Sequence, residues 1–308
     1  MSALTDIQRE ISEADALVMR HERALSEQPD LRSIQLNLST LRKKRNALER
    51  EFLAASSAIG MDVCSYRMFA DNFQPTILAF SRVMEHFQEA VTVFYDVVKT
   101  NHPKQNTHAS GWATAETALN IGYTFSGSIG VVLTIPNERL LGIESDLDEA
   151  ISLMFKLARS DDCAPVIADF VSRFGAGPVR AAYRWADSHI RSGLGADIEW
   201  RRGMEIRDHL FVESIHFESL KSAMDTTGEE TVEEITVRGY LNRADIRAQS
   251  FRIKVESGEE IRGHFEDAIS DAHTIEIPKW YTAHLRKTSR VKLSQAEDEH
   301  EFFLLSLD

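Results

Sequence analysis

Three features are scarce in the sequence: long apolar runs, apolar residues in succession near the N-terminus, and cysteines. No run of about 18 uncharged apolar residues occurs in the 308-residue chain, so we expect no membrane-spanning helix. The N-terminus is acidic and amphipathic and has no apolar core of the kind that a secretory signal carries. Cys64 and Cys163 are the two cysteines, too few for a disulfide framework, and free thiols in a reducing compartment are expected. These absences together predict a cytoplasmic protein.

Extreme composition is also absent, although the charge is unevenly distributed. Hydrophobic residues make up 43% of the chain and charged residues 27%, which excludes wholesale disorder. The net charge is −13, yet residues 1–56 carry nine basic and nine acidic side chains. An acidic body is repelled by phosphates, so broad non-specific DNA binding is not expected. One dense basic cluster, residues 41–45, is typical of a solvated helix face, with a phosphate or partner contact as the alternative.

The first 56 residues contain two segments whose apolar residues recur at spacings of three and four, joined by Gln28-Pro29-Asp30. This pattern predicts an antiparallel, coiled-coil helical hairpin as a domain over 1–56. His21 and Arg45 interrupt the two seams and are expected to limit register and partner choice. The hairpin can pack on its own body or leave an edge free; we expect a free edge that oligomerises or docks a protein partner. The predicted interaction face comprises Leu4, Ile7, Ile11, Leu25, Leu31, Ile34, Leu38, Leu41, Leu48 and Phe52.

Residues 57–225 predict an α+β domain, in which helices cover a small antiparallel sheet. A linker is predicted over 57–72, and a central apolar helix starts near Pro75. A Ser126-Gly127-Ser128 hairpin turn joins the first two predicted strands. The elements that follow the central helix are strands over 115–125 and 129–135, helices over 145–159, 163–173 and 178–192, a strand over 197–202 and a helix over 204–224.

Residues 226–308 predict a small β-barrel of the SH3-like or OB-like kind, because the hydrophobic period changes to two. Ser257-Gly258 marks a tight turn between the second and third strands. The five predicted strands cover 232–241, 250–255, 260–265, 280–286 and 301–307.

The barrel also contains the sequence's nearest approach to a nucleic-acid face, which requires exposed aromatic residues flanked by basic ones. Tyr240 and Phe251 lie among arginines, but both fit core positions, and the four tryptophans are likewise expected to be core anchors. From residue 229 onward there are 11 basic and 17 acidic residues, so protein contact is favoured over nucleic acid. The candidate nucleic-acid residues are Arg238, Arg243, Arg247 and Arg252.

No catalytic residue and no cofactor are predicted. The cysteines lack the histidine signature of a nucleophile, and Gly175-Ala176-Gly177 fits a helix cap or turn rather than a phosphate loop. One metal-like pattern occurs, with spacings of four, four and three on one face of the helix predicted over 204–224, although the rest of a di-iron ligand set is missing. A solvated charged stripe is the expected alternative. The candidate metal ligands are Glu205, His209, Glu213 and His216.

The order of the elements carries a resemblance. A long apolar helix is followed by Phe125-Ser126-Gly127-Ser128-Ile129-Gly130-Val131-Val132-Leu133, by helices and Ile198-Glu199-Trp200, and by the barrel segments 237–241, 251–253 and 261–263. Over about 73–308 the chain resembles a loose group of uncharacterised bacterial proteins with a Gly-Ser hairpin and a C-terminal small barrel. The resemblance implies a place among accessory and defence genes and supplies no catalytic residues.

The sequence therefore favours a non-enzymatic protein-interaction or oligomerisation component, and the resemblance implies that it belongs to a bacterial antiphage defence system. The first alternative is a nucleic-acid or nucleotide sensor that uses the barrel. The second is a metal-dependent enzyme that uses the Glu/His pattern.

Overall fold

The computed structural model describes residues 2–70, 76–125, 129–137, 144–159, 163–226, 230–245, 247–265, 276–290 and 299–308. The chain divides into two units, Met1–Thr226 and Thr227–Asp308. The first unit is α+β and contains a five-stranded antiparallel sheet, and the second is a closed five-stranded barrel. The predicted fold class is confirmed. The predicted Ser126-Gly127-Ser128 turn and Pro75 lie outside the described residues.

The helices and strands of the first unit begin and end close to the predicted positions in most places. In chain order they are α1 (Ser2–Glu27), α2 (Arg32–Ala58), β1 (Met61–Phe69), α3 (Ile77–Thr100), α4 (Gly111–Glu116), β2 (Asn120–Phe125), β3 (Ile129–Pro136), α5 (Asp146–Arg159), α6 (Cys163–Phe174), α7 (Ala176–Ser192), β4 (Gly195–Arg202), β5 (Glu205–Val212) and α8 (Ser214–Thr226).

The predicted linker over 57–72 is wrong, because most of it is β1, the central strand of the sheet. The strand order is β2-β3-β1-β4-β5, and β1 pairs antiparallel with both β3 and β4. Alternate side chains of β1 point into the core, where Cys64, Tyr66 and Met68 are fully buried. Asp62 is buried on the same side, and this polar residue interrupts the apolar alternation by which a strand is recognised in a sequence.

The helix predicted over 204–224 is also wrong, since a strand and a shorter helix share the segment. Gly203 adopts φ +53° in the tight turn between β4 and β5, a conformation that favours glycine. Leu210 and Val212 are buried while Phe211 is exposed, which is the period of two expected for a strand. The strand predicted over 115–125 is likewise shorter, because its first residues belong to α4.

The hairpin of α1 and α2 belongs to the first unit, Met1–Thr226. Its base packs on the sheet, where Ile11 and Phe52 are fully buried in a cluster with Val63, Tyr123 and Val132. The Phe52 and Tyr123 rings meet edge to face with centroids 5.2 Å apart. The N-terminal half of α1 and the C-terminal half of α2 are therefore anchored to the sheet, and the turn between the helices lies at the opposite end of the hairpin.

The second unit contains β6 (Glu230–Asp245), β7 (Ser250–Val255), β8 (Glu260–Phe265), β9 (Lys279–Arg290) and β10 (Glu299–Leu307). The strands close in the order β10-β8-β7-β6-β9. β6 pairs antiparallel with both β7 and β9, and β10 pairs antiparallel with β9 and parallel with β8. This connectivity is that of the OB-fold rather than of an SH3 barrel. Inside lies an apolar core that consists of Leu241, Phe251, Ile253, Ile261, Phe265, Ala283, Leu285 and Leu304.

Candidate functional site

Three arginines form a row across the outer surface of the barrel. In the strand registers Arg243 of β6 lies opposite Arg252 of β7, which in turn lies opposite Arg262 of β8. Neighbouring strands are about 4.8 Å apart, so the three cationic side chains leave the sheet side by side. Like charges directly opposite each other destabilise a sheet. Negative charge placed beside the three arginines would therefore relieve the repulsion between them.

Two carboxylates compensate the arginine row in part. The Glu260 carboxylate lies 2.7 Å from the Arg262 guanidinium and 3.4 Å from that of Arg252, and the Asp245 carboxylate lies 3.6 Å from Arg243. The backbone N–H of Ala248, together with other nearby donors and the charge of Arg243, lowers the pKa of Asp245 below its ordinary value. These carboxylates hold the guanidinium groups in place. They do not engage every N–H donor of the arginines, since each guanidinium has five N–H groups.

The arginine row lines a cavity of about 280 Å³ on this face. Two imidazoles contribute to the same lining, and one carboxylate, Glu301, also reaches it. The surface of β7 and β8 is the face with which OB-fold barrels bind oligonucleotides and oligosaccharides. The cationic and imidazole side chains that line the cavity are Arg243, Arg252, Arg262, His264 and His300.

An aromatic pair lies on the same outer surface. Tyr240 of β6 is opposite Trp280 of β9, and their ring centroids are 5.7 Å apart at 57°. Trp280 is 50% exposed, and Tyr240 is half-buried. The expectation that both are core residues is therefore wrong, whereas Phe251 is buried as expected. Their ring faces belong to the surface of the barrel.

The four arginines predicted for nucleic acid do not share one place. Arg243 and Arg252 lie opposite each other in the row. Arg238 lies farther along β6, beside Glu256 at 3.7 Å, and Arg247 lies in the turn that follows β6. Sequence reasoning missed Arg262, although the position of the turn contains the signal. Arg252 and Arg262 each lie five residues from Ser257, on either side of it, and are opposite each other in the strand register.

The four predicted metal ligands are not brought together. Glu205 and His209 belong to β5, Glu213 lies between β5 and α8, and His216 is exposed on α8, so they share no helical face. The His209 imidazole is instead 2.8 Å from the Asp197 carboxylate. Among the described residues, no group of three or more histidine, cysteine or acidic side chains could hold a metal ion.

The predicted interaction face is used mostly inside the chain, which corrects its assignment as a free edge. Leu4 and Ile7 pack against the cluster at the base of the hairpin, and Leu31 is the one member that is exposed. Leu25, Ile34 and Leu41 are half-buried in the seam between α1 and α2. The remaining members are buried: Ile11, Leu38, Leu48 and Phe52.

Arg45, which interrupts the seam, has a partner in the facing helix. Its guanidinium lies 2.5 Å from the carboxylate of Asp15 and 2.8 Å from that of Glu49. Burial raises the pKa of Glu49 above its ordinary value, and Arg45 acts in the opposite direction. The pair fixes which turn of α1 faces which turn of α2.

A buried histidine of the first unit, His189, has both ring nitrogens hydrogen-bonded within the core. The Nδ1 of His189 donates to the Leu194 carbonyl at 2.9 Å, so its Nε2 accepts from the Tyr66 hydroxyl at 2.7 Å. Trp185 in turn donates its Nε1–H to the Tyr66 hydroxyl at 2.8 Å. Burial lowers the pKa of His189 to about 4 and raises that of Cys64. The His189 imidazole, the Tyr66 hydroxyl and the Trp185 indole are buried, and their polar atoms are hydrogen-bonded within this group and to the Leu194 carbonyl.

A second cavity, of about 790 Å³, lies between the start of α3 and the end of α7. Its charges are mixed, and the Asp187 carboxylate is engaged with Arg191 at 2.6 Å and with Lys221 at 2.8 Å. The Ser188 and Ser192 hydroxyls donate to carbonyls of their own helix. This cavity presents no activated nucleophile and no row of like charges in register, so the arginine row is the better candidate site.

Comparisons with known proteins found no matching family model, curated protein or solved structure. Among the helices that the structure describes, none combines the length and the apolar character needed to cross a membrane.

Proposed function

We propose that the barrel binds a nucleic-acid strand through its phosphates, on the outer surface of β6, β7 and β8. The observation that carries this proposal is the arginine row, Arg243, Arg252 and Arg262, at the face that OB-fold barrels use for oligonucleotides. Arginine is suited to this role because its planar fork of donors matches two phosphate oxygens at once.

The protein's net charge of −13 is compatible with such a site. Overall charge governs non-specific attraction at long range, which is screened beyond about 8 Å at physiological salt. Contacts inside the cavity depend on the local cations. We therefore expect the protein to bind bulk nucleic acid weakly and to select strands that fit this face. Together with the resemblance noted above, this supports a role as a sensing component of a bacterial antiphage system.

The test is fluorescence anisotropy with a labelled single-stranded oligonucleotide of about twelve nucleotides, a length within the range that OB-folds cover. The variant combines Arg243→Gln, Arg252→Gln and Arg262→Gln. We expect the full-length variant to bind roughly tenfold more weakly or worse, because three phosphate contacts are removed.

The matched control removes the same charge from exposed positions of the hairpin, with Arg20→Gln, Arg23→Gln and Lys43→Gln. It should bind almost as the natural protein does. Equal losses in the two triple variants would show that only overall charge matters. Absence of binding by the natural protein would end the proposal.

A second candidate function, self-association through the hairpin, is favoured by exposed apolar side chains away from its base. Leu17 is 39% exposed, and Leu36 is 70% exposed. A hairpin of about 26 residues per helix extends about 39 Å, so this part of it reaches well beyond the anchored base. We propose a second copy of the chain as the occupant of these positions.

Light scattering tests this candidate directly. A mass above the 34.8 kDa of one chain is expected, with a return to the single-chain mass in a Leu17→Lys/Leu36→Lys variant. Trp280→Lys, at an exposed position of the barrel, is the control. A natural protein that has the mass of one chain at every concentration would dismiss self-association.

A further inference from the structure

We infer that Tyr240 and Trp280 form a platform on which an unpaired base of the bound strand stacks, so that the barrel's ligand is single-stranded nucleic acid. This inference rests on the proposed function, since it assumes that phosphates occupy the arginine row. The proposed function accounts for the phosphates of the ligand, and this inference adds a site for a base. Duplexes, and anions without a planar ring, are therefore not the preferred ligands.

The platform is formed by one exposed and one supporting ring. Trp280 leaves half of its surface to solvent, although a tryptophan at a purely structural position is ordinarily buried. Trp185 and Trp200 show the contrast, since both are sealed in the core of the first unit. Tyr240 packs against Trp280 at 5.7 Å and so limits the orientations of the indole. An aromatic face held in this way is preorganised for stacking.

The platform continues into the arginine row through Lys254. In the registers of β6, Tyr240 lies opposite Trp280 on one side and opposite Lys254 on the other. Lys254 is exposed, and it lies two residues from Arg252 on the same side of β7, about 7 Å along the strand. The outer surface therefore presents, in order, an indole, a phenol, an ammonium and guanidinium groups.

This order matches the chemistry of a single strand. Proteins that bind single strands combine a positively charged groove, which follows the backbone, with aromatic side chains on which bases stack. In a duplex each base is stacked and paired, and its ring face becomes available only after it is unpaired at an energetic cost. A strand with its phosphate at Arg252 has a base within reach of the Tyr240–Trp280 pair.

The experiment compares three probes on the full-length protein: a single strand of about twelve nucleotides, an abasic backbone of the same length and the corresponding duplex. We expect the single strand to bind about tenfold more tightly than the abasic backbone, and to quench part of the tryptophan fluorescence. Trp280→Ala should remove the preference for bases, and Trp280→Phe should retain most of it.

Trp112→Phe is the matched control, because Trp112 is also partly exposed but belongs to the first unit. It should retain both the affinity and the quenching. Equal affinity for the single strand and the abasic backbone, or for the duplex, would overturn the inference and leave the arginine row in place. Failure of every probe to bind would overturn the proposed function together with it.

Discussion

The buried histidine of the first unit makes the stability of that unit sensitive to mild acid. His189 is fully buried, and its two ring nitrogens are occupied by the Leu194 carbonyl and the Tyr66 hydroxyl. Protonation would place a second N–H on Nε2, facing a hydroxyl that now donates to it, in an apolar surrounding. Burial therefore holds the pKa of His189 at about 4, below its ordinary value of 6.5.

The sign and size of the effect follow from that difference. As the pH falls below about 6.5, the unfolded chain takes up a proton at His189 while the folded chain does not, so the free energy of unfolding decreases. The decrease stops near pH 4, where the folded state is protonated as well. Each pH unit between the two values contributes about 1.4 kcal/mol, so the total is about 3 kcal/mol. Above pH 7 the stabilisation is complete.

The perturbation that isolates this contribution is His189→Gln, which keeps a hydrogen-bonding side chain but cannot be protonated. At pH 7.5 we expect the variant to be less stable by about 1–3 kcal/mol, because the amide fits the two partners imperfectly. As the pH is lowered to 4, the natural protein should lose about 3 kcal/mol of stability relative to the variant, so that its advantage disappears or changes sign. Urea unfolding followed by tryptophan fluorescence measures it, since Trp185 lies beside the histidine ring at 5.6 Å.

His216→Gln is the control, because this histidine is exposed on α8. Other groups titrate over the same range, but they do so equally in all three proteins and cancel in the differences. A stability difference that stays constant from pH 7.5 to pH 4 would refute the reasoning. So would an NMR titration that finds the pKa of His189 near 6.5.

Three further outcomes are expected. Gly177→Ala should lower the melting temperature, at a cost of about 1–3 kcal/mol, because an added Cβ would lie 2.3 Å from the Asn106 carbonyl oxygen; an unchanged melting temperature would contradict this close approach. Phe52→Ala should cost about 3–5 kcal/mol in urea unfolding, whereas Leu36→Ala, at an exposed position, should change stability by less than about 0.5 kcal/mol. Arg252→Gln should reduce the slope of log affinity for a single strand against log salt concentration by about 0.7, and an unchanged slope would show that Arg252 contacts no phosphate.

Elements with a clean apolar period were predictable from the sequence, and the barrel is the clearest case. All five barrel strands were located, because outward and inward residues alternate along each of them. β1 was missed because Asp62 is buried beside Cys64, and a polar residue in the core hides the period of two. The segment 204–224 was misassigned because its charged residues happen to recur at helical spacings, while the turn at Gly203 that reverses the chain has no period at all.

The candidate site was predictable only in part. Arg243 and Arg252 were identified from composition, but their opposition depends on a register shift in β6 between Leu241 and Arg243 that no local pattern reveals. Trp280 was expected in the core because tryptophan usually is buried, and its exposure is decided by the pairing of β6 with a strand some 40 residues away. The anchoring of the hairpin could not be predicted for the same reason, since it depends on a contact with Tyr123, which is far away in the sequence.

The anchoring of both helix ends restricts how the hairpin can vary in length. Because α1 and α2 run antiparallel and meet at Asp15 and Arg45, residues inserted in one helix alone would shift every contact between that point and the turn. Length can change without loss of packing only by matched insertions of seven residues in each helix, about 10 Å at a time. The hairpin can therefore become longer or shorter only in discrete steps, and such steps leave the contacts of Ile11 and Phe52 with the sheet unchanged.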